Sequence, residues 1–314
     1  MKKEKVLITG GSGYLGSTLA EHLLNKGYTV TVIDNLMFRQ LSLLHLFKKD
    51  NFNFVLGDVR DKEKLQELVS QHDVIIPLAA IVGMPACKAN PELATAVNYT
   101  QIKNIVEVLK SNQKLILPNT NSQYGSSDKI ITEESPFKPL SHYAKTKCDA
   151  EDLLLKNKNG ITLRLATVFG VSPRMRVDLL VNDFVYKSIV DGYLVLFESN
   201  FKRNYIHVQD IARTFEFMIE NYQECNGQAF NVGLSEANLS KLELAHKIKE
   251  YIPSLVIKED NFKEDFDKRN YVVSNEKLES KGWEPLYDLD YGIKQLINAY
   301  QFIINKNNSN FTNL

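Results

Sequence analysis

The sequence predicts an α/β fold, a doubly wound parallel sheet followed by a smaller C-terminal lobe, and three observations carry that prediction. A β-branched and apolar run, Lys5 to Ile8, leads into Thr9-Gly10-Gly11-Ser12-Gly13-Tyr14-Leu15-Gly16, after which Leu15, Leu19 and Leu23 recur at helical spacing. Thr29 to Asp34 reads as a second strand that ends in an acid. Strand-like and helix-like segments then alternate to about residue 170, the rhythm that right-handed crossovers impose on a parallel sheet.

In chain order, Gly27 closes the first helix, and Asn51 to Asp58 is the third strand. Lys62 to Gln71 makes a short amphipathic helix with Leu65, Leu68 and Val69 on one face. Asp73 to Ala80 is continuously apolar, as a strand buried on both faces must be. Asn90 caps a helix that carries Pro91 in its first turn and runs to about Lys110, and Lys114 to Pro118 starts the next strand. After Gly170 the rhythm loosens. Val171 to Arg176 is a loop with Pro173 and two arginines, and Val177 to Val190 is helical. Asn204 to Val208 and Ala229 to Val232 are short strands, and Leu239 to Tyr251 and Tyr291 to Asn305 are helices. The chain divides into a Rossmann-like unit, residues 1–170 with about 204–232, and a substrate-binding lobe, about 171–203 and 233–306. A polar, frayed tail spans 307–314.

Lys+Arg and Asp+Glu both count 38, so no charge bias points to nucleic acid or an anionic membrane. Cys87, Cys148 and Cys225 are too few and scattered for a disulfide framework or metal cluster, and read as reduced thiols of a cytoplasmic protein. The chain enters its first strand at once, without a signal peptide's apolar core, and no apolar run is long enough to span a bilayer.

The glycine stretch is the chemical centre. A strand, a glycine turn and a helix N-terminus present unpaired amides and the positive end of a helix dipole to an anion. Asp34, eighteen residues after Gly16, can accept the hydroxyls of an adenosine ribose and repel a 2′-phosphate. The cofactor expected is therefore NAD, with Arg39 the residue that argues for NADP. Tyr143 and Lys147 are four residues apart, which puts both side chains on one helix face. A phenolate useful at pH 7 needs a drop of about three units from the usual phenol, roughly 4 kcal/mol, and a nearby ammonium acts in that direction.

Thr9 to Gly16, Asp34-Asn35, Gly57-Asp58-Val59, Leu78-Ala79-Ala80, Asn98, Tyr124-Gly125, Tyr143 with Lys147, Leu163-Arg164, Asn204 to Asp210, Asn231-Val232-Gly233 and Gly282 to Pro285 together make a pattern. It resembles the extended short-chain dehydrogenases/reductases of the nucleotide-sugar epimerase/dehydratase family, over almost the whole length. The resemblance implies that Gly10, Gly13, Tyr14, Leu15, Gly16 and Asn98 help bind NAD. It places Asp34 and Asn35 at the adenosine ribose, Asp58 and Val59 beside the adenine, and Leu78, Ala79 and Ala80 along the pyrophosphate and ribose. Thr120 is implied to hydrogen-bond the reacting sugar hydroxyl, with Ser122 a second donor. Arg203 and Arg269 match positions that hold the nucleotide diphosphate, and Thr167 and Asn182 belong to the substrate side. Where dehydratases carry Asp and Glu after the Thr, this chain has Asn121 and Ser122, neither able to do acid/base work. What remains is oxidation of a sugar carbinol, most plausibly C4, ending as a dehydrogenase or a C4-epimerase. Ser172 to Asn182 and Met84 to Cys87 are similar to GDP-heptose 4-dehydrogenases of surface-polysaccharide assembly, and GDP-sugars are expected over UDP-sugars. The resemblance also implies a homodimer through the helices at Pro91 to Lys110 and from Tyr143. On this reading Ile102, Ile105, Val106 and Leu109 exceed the apolar surface that packing on one sheet face needs.

Asp34→Ala removes an acceptor for two ribose hydroxyls and should raise the Kd for NAD about 10- to 100-fold while changing that for NADP far less. Parallel titrations with both dinucleotides check this, and a wild type that prefers NADP would overturn the assignment.

Overall fold

The computed structural model describes residues 3–156, 160–260 and 269–303. The expected tail, 307–314, lies outside the described residues, as does the last turn expected of the final helix. Six strands come first: β1 (Lys5–Thr9), β2 (Thr29–Asp34), β3 (Phe52–Leu56), β4 (Val74–Pro77), β5 (Lys114–Thr120) and β6 (Ile161–Leu165). The second six are β7 (Thr167–Phe169), β8 (Tyr193–Phe197), β9 (Lys202–His207), β10 (Ala229–Val232), β11 (Asn238–Ser240) and β12 (Val256–Asp260).

Among the described residues a seven-stranded parallel sheet runs β10-β6-β5-β4-β1-β2-β3. The doubly wound sheet expected from the sequence is therefore the one found. Its inner strands β1 and β4 are almost wholly apolar because helices cover both faces. On one face lie α1 (Tyr14–Asn25), α8 (Val208–Glu220), α9 (Tyr222–Cys225) and α11 (Glu276–Glu279), around Leu19, Leu23, Phe215 and Trp283. On the other lie α2 (Lys62–Ser70), α5 (Gln101–Val106) and α6 (His142–Lys156). The chain winds away from β1 in both directions, so a crevice opens at the carboxyl ends of β1 and β4.

Two short helices, α3 (Met84–Ala89) and α4 (Pro91–Thr95), pack with Val59, Ile81 and Val97 at that edge. From α4 the chain enters α5 through one widened π turn, Ala96–Thr100. The lobe's core is built by α7 (Leu180–Val190), α10 (Lys241–Tyr251) and α12 (Leu289–Ile303), with β8. β9 is the middle strand of a small sheet, parallel to β7 and antiparallel to β11, while β8 pairs with β12. Of the stretch 204–232 expected beside the main sheet, β10 pairs with β6 and α8 packs on α1, and β9 belongs to the small sheet.

One expectation is corrected. Ile102 and Ile105 are 1% and 0% exposed, inside a cluster with Leu65, Val69 and Leu154. α5 has α2 and α6 on its flanks as well as the sheet beneath, so Ile102 and Ile105 are covered within one chain, while Val106 and Leu109 stay half-buried. The outward residues of this face, Lys103, Glu107, Lys145 and Asp149, are charged. Ile105→Ala should therefore cost about 2–5 kcal/mol of folding stability, read from the urea midpoint at one fixed protein concentration. A loss well below about 1 kcal/mol would contradict its place in that core.

Candidate active site

A cavity of about 1290 Å³ follows the carboxyl edge of the sheet from Asp34 to Arg269, between the sheet and the lobe. Its floor is the glycine turn. Gly10 has φ +68°, and a β-carbon there would fall 2.6 Å from Ala79 Cα. One on Gly16 would fall 2.6 Å from Gly10 O, so a tight turn and a close helix both demand glycine. α1 begins after Gly13 with no side-chain cap, and Gly13, Tyr14, Leu15 and Gly16 all line the cavity. Its first-turn amides are thus left for an anion.

Asp34 ends β2 at 8% exposure; its oxygens accept from Ser12 N at 2.9 Å and Leu36 N at 2.8 Å. Burial raises its pKa, and those two amides oppose the shift. Each oxygen keeps acceptor capacity toward the cavity. Beside it Asn35 Nδ2 donates to Asp58 Oδ2 at 3.1 Å, and Arg60 holds the Asp58 carboxyl down at about 2. Val59 completes this end of the wall. The strip Leu78-Ala79-Ala80 is pinned by Ala79 N to Thr9 Oγ1 at 3.2 Å and by Gln101 Nε2 to Ala79 O at 2.5 Å. The cradle fits a dinucleotide: uncapped amides and small residues at the middle, a buried acid at one end.

The other end carries Thr120, Ser122, Tyr143 and Lys147. Lys147 is 5% exposed, and Nζ donates to Pro118 O at 2.6 Å. Burial lowers its pKa to about 8, and Glu151 one turn on opposes the shift. Burial also pushes the Tyr143 phenol up to about 12; Arg269, Arg176 and Thr120 pull the other way. In the protein without ligands the phenol is thus raised, where the pairing with Lys147 led us to expect it lowered, because desolvation outweighs the cations in reach. Asn119 ties the end of β5 to α6. Its Nδ2 donates to Lys147 O at 3.1 Å and to Glu151 Oε2 at 2.7 Å, and its Oδ1 accepts from Thr120 N at 3.0 Å. Glu151 is held in turn by Arg164 Nε at 2.9 Å.

Toward the lobe the wall includes Thr167, Arg203 and Arg269, and Arg269 Nη1 donates to Ser122 Oγ. Asp267 and Lys268, its neighbours in the expected motif, lie outside the described residues. Sequence reasoning assigned no site role to Arg174, the pair Arg176 with Asp178 at 2.5 Å, Lys241 or, on the loop after β2, Phe38, all of which line the cavity. The two arginines enter the sequence reading as part of a loop and of the stretch Ser172 to Asn182, with no role of their own.

Two residues expected at ligands stand behind the wall. Asn98 is 1% exposed; its Oδ1 accepts from Ile81 N at 2.8 Å and its Nδ2 donates to Ile81 O at 3.0 Å. The π turn carries it there. Asn182 is fully buried, accepting from Gly170 N at 3.1 Å and donating to Arg176 O at 2.8 Å. Both satisfy backbone that would otherwise be orphaned. Cys87 also packs, with Sγ donating to Ile81 O at 3.2 Å.

The sequence profile described as the NAD dependent epimerase/dehydratase family matches residues 6–233, more than half the chain. The low-salt glycan biosynthesis protein Agl12 of Haloferax volcanii is 29% identical over 94% of this chain and 98% of its own length. A putative UDP-glucose 4-epimerase of Methanocaldococcus jannaschii is 27% identical, over 93% and 97%. The fold matches the crystal structure of UDP-glucuronic acid 4-epimerase from Bacillus cereus, in complex with UDP-glucuronic acid and NAD, at a TM-score of 0.84. There the identity is 23%, over 95% of this chain and 99% of that one. A matching profile, an uncapped glycine turn facing a cavity and a buried acid at the end of β2 converge: this chain is an enzyme of the NAD dependent epimerase/dehydratase family, the extended short-chain dehydrogenases/reductases acting on nucleotide sugars, and its cofactor is NAD.

Proposed function

We propose that this enzyme oxidises the C4 hydroxyl of a nucleotide-diphosphate sugar to a ketone while the C6 hydroxyl stays in place. The observation that carries the reading is one cavity holding the glycine turn, Thr120, Tyr143 and Lys147, with Asn121 and Ser122 where an elimination needs acids. On the lobe side of the cavity the carboxylates of Asp178 and Asp183 are engaged by Arg176 at 2.5 Å and Lys187 at 2.8 Å. Bound NAD+ supplies a hydride acceptor. Asp34 and Asn35 hold the adenosine ribose, Asp58 and Val59 flank the adenine, and Leu78 to Ala80 run along the cofactor. Tyr143 removes the hydroxyl proton, Thr120 orients the sugar oxygen, and Ser122 stands beside it. Lys147 keeps a positive charge under the phenol. Arg203 and Arg269 hold the sugar's diphosphate, where their forks can bind oxygens in pairs, and Thr167 lines the sugar side.

Within this reading the substrate is a GDP-heptose and the product its 4-keto sugar, supported by the similarity of Ser172 to Asn182 and Met84 to Cys87 to such dehydrogenases. A cytoplasmic homodimer on the outward faces of α4 to α6 completes it. The relative described as a 4-epimerase favours a second outcome from the same first step, return of the hydride to the opposite face of the ketone.

Incubation with GDP- and UDP-sugars, heptoses included, should give a 4-keto sugar that retains O6, with turnover dependent on added NAD+ or another hydride acceptor. A C4-inverted sugar formed with no added acceptor would mark the epimerase, and a 6-deoxy-4-keto product would refute the reading of positions 121 and 122. Tyr143→Phe should lower the rate at least ~100-fold with NAD still bound.

The pH profile has a stated sign. With Lys147 lowered to about 8, its ammonium form prevails below that pH and is lost above it, so kcat/KM should fall above pH 8. Lys147→Arg, which cannot lose its proton, should be slower throughout but without that falling limb. An unchanged limb in Lys147→Arg would assign it to another group.

A further inference from the structure

Arg174 has no part in the reaction described above, yet it is 3% exposed and lines the cavity. Its loop is fastened to the first turns of α1. Ser172 Oγ donates to Tyr14 O at 2.6 Å and meets Ser17 Oγ at 3.1 Å, and Tyr14 OH donates to Gly170 O at 2.6 Å. On its other side the guanidinium lies over Phe38, 5.1 Å from the ring centroid. Phe38 follows Asp34 by four residues, on the loop that leaves β2. The cation is therefore bracketed by the N-terminus of α1, which faces a dinucleotide's diphosphate, and the loop after the acid that meets the adjoining ribose. Arg269, by contrast, reaches Ser122, and Arg203 lies 5.7 Å from the Tyr271 ring, both toward the reacting end.

Arg174 Nη1 donates to Met175 O at 3.5 Å, and a guanidinium that keeps its charge in any protein environment is a ready binder of an anion in the cavity it lines. Burial and the neighbouring Arg176 both work against the Arg174 charge, with Asp178 a smaller opposing influence. An anionic diphosphate in the cavity relieves both.

We propose that Arg174 binds the cofactor's diphosphate from the lobe side, opposite the amides of α1. The anion is then held by two elements from different parts of the fold, and the loop that carries Arg174 cannot withdraw without releasing it. The inference rests on NAD as cofactor and is independent of the sugar. It also explains why the tie between Ser172 and Tyr14 lies beside the glycine turn, away from the reacting centre.

The test is equilibrium binding to the full chain without any sugar. Arg174→Gln should raise the Kd for NAD+ and for ADP-ribose about 10- to 100-fold, speed NADH release correspondingly, and leave adenosine, GDP and UDP unaffected. Arg174→Lys keeps the charge and the stem but not the fork, and should fall between wild type and Gln. It also serves if the Gln variant does not fold by circular dichroism. Unchanged NAD+ binding in a folded variant would overturn the assignment. A loss confined to GDP or UDP would overturn it equally, placing Arg174 on the sugar's diphosphate instead.

Discussion

At the carboxyl edge of the sheet two backbones approach so closely that no side chain fits between them. A β-carbon on Gly10 would lie 2.6 Å from Ala79 Cα, and one on Gly16 would meet Gly10 itself. This contact makes the first strand turn at once into α1 with no capping side chain, so the helix presents bare amides to the crevice. It also fixes the strip 78–80 as the opposite wall, which Thr9 and Gln101 then hold by hydrogen bonds to Ala79. Asp34 owes its place to the same turn, since one of its oxygens is held by the amide of Ser12.

The end of the cavity that holds Thr120, Tyr143 and Lys147 depends on a second, polar constraint. Asn119 lies at the end of β5 and its amide spans from that strand to α6, so Thr120 and Lys147 are set relative to one another by one buried side chain. Glu151 and Arg164 form a buried pair behind it at 2.5 Å, and Arg164 continues to the Tyr124 hydroxyl at 2.6 Å. Such a network is stabilising only when every member is satisfied. The phenol and the ammonium above it are both disfavoured in their charged forms by burial, a state that ligand charge in the cavity would shift.

Much of this was legible in the sequence because its signals are local. The glycine turn is a contiguous stretch, β2 ends where its acid does, and Tyr143 with Lys147 is a single helical interval. β12 was not read, because a strand as charged as Val256–Asp260 has meaning only beside its partner, whereas β8 was passed over although Tyr193–Phe197 is an apolar run. The π turn that aims Asn98 at Ile81 leaves no pattern of its own. Asn98 and Asn182 mark the limit of reading polar residues as ligands, since a buried amide that satisfies backbone looks the same in a sequence as one that meets a substrate. Ile102 and Ile105 err the other way, because neighbours on both flanks of a helix cannot be counted from that helix alone. Arg174, Arg176 and Lys241 reach the cavity through the tertiary path of the lobe, which no local spacing reports.

The central claim is that the sugar's C4 hydrogen leaves as hydride. A nucleotide sugar carrying deuterium at C4, quenched within a single turnover, tests it most directly by the mass of the bound cofactor. One deuterium on the reduced nicotinamide, in proportion to sugar oxidised, is the expected result. Sugar converted while the cofactor carries no deuterium would contradict it.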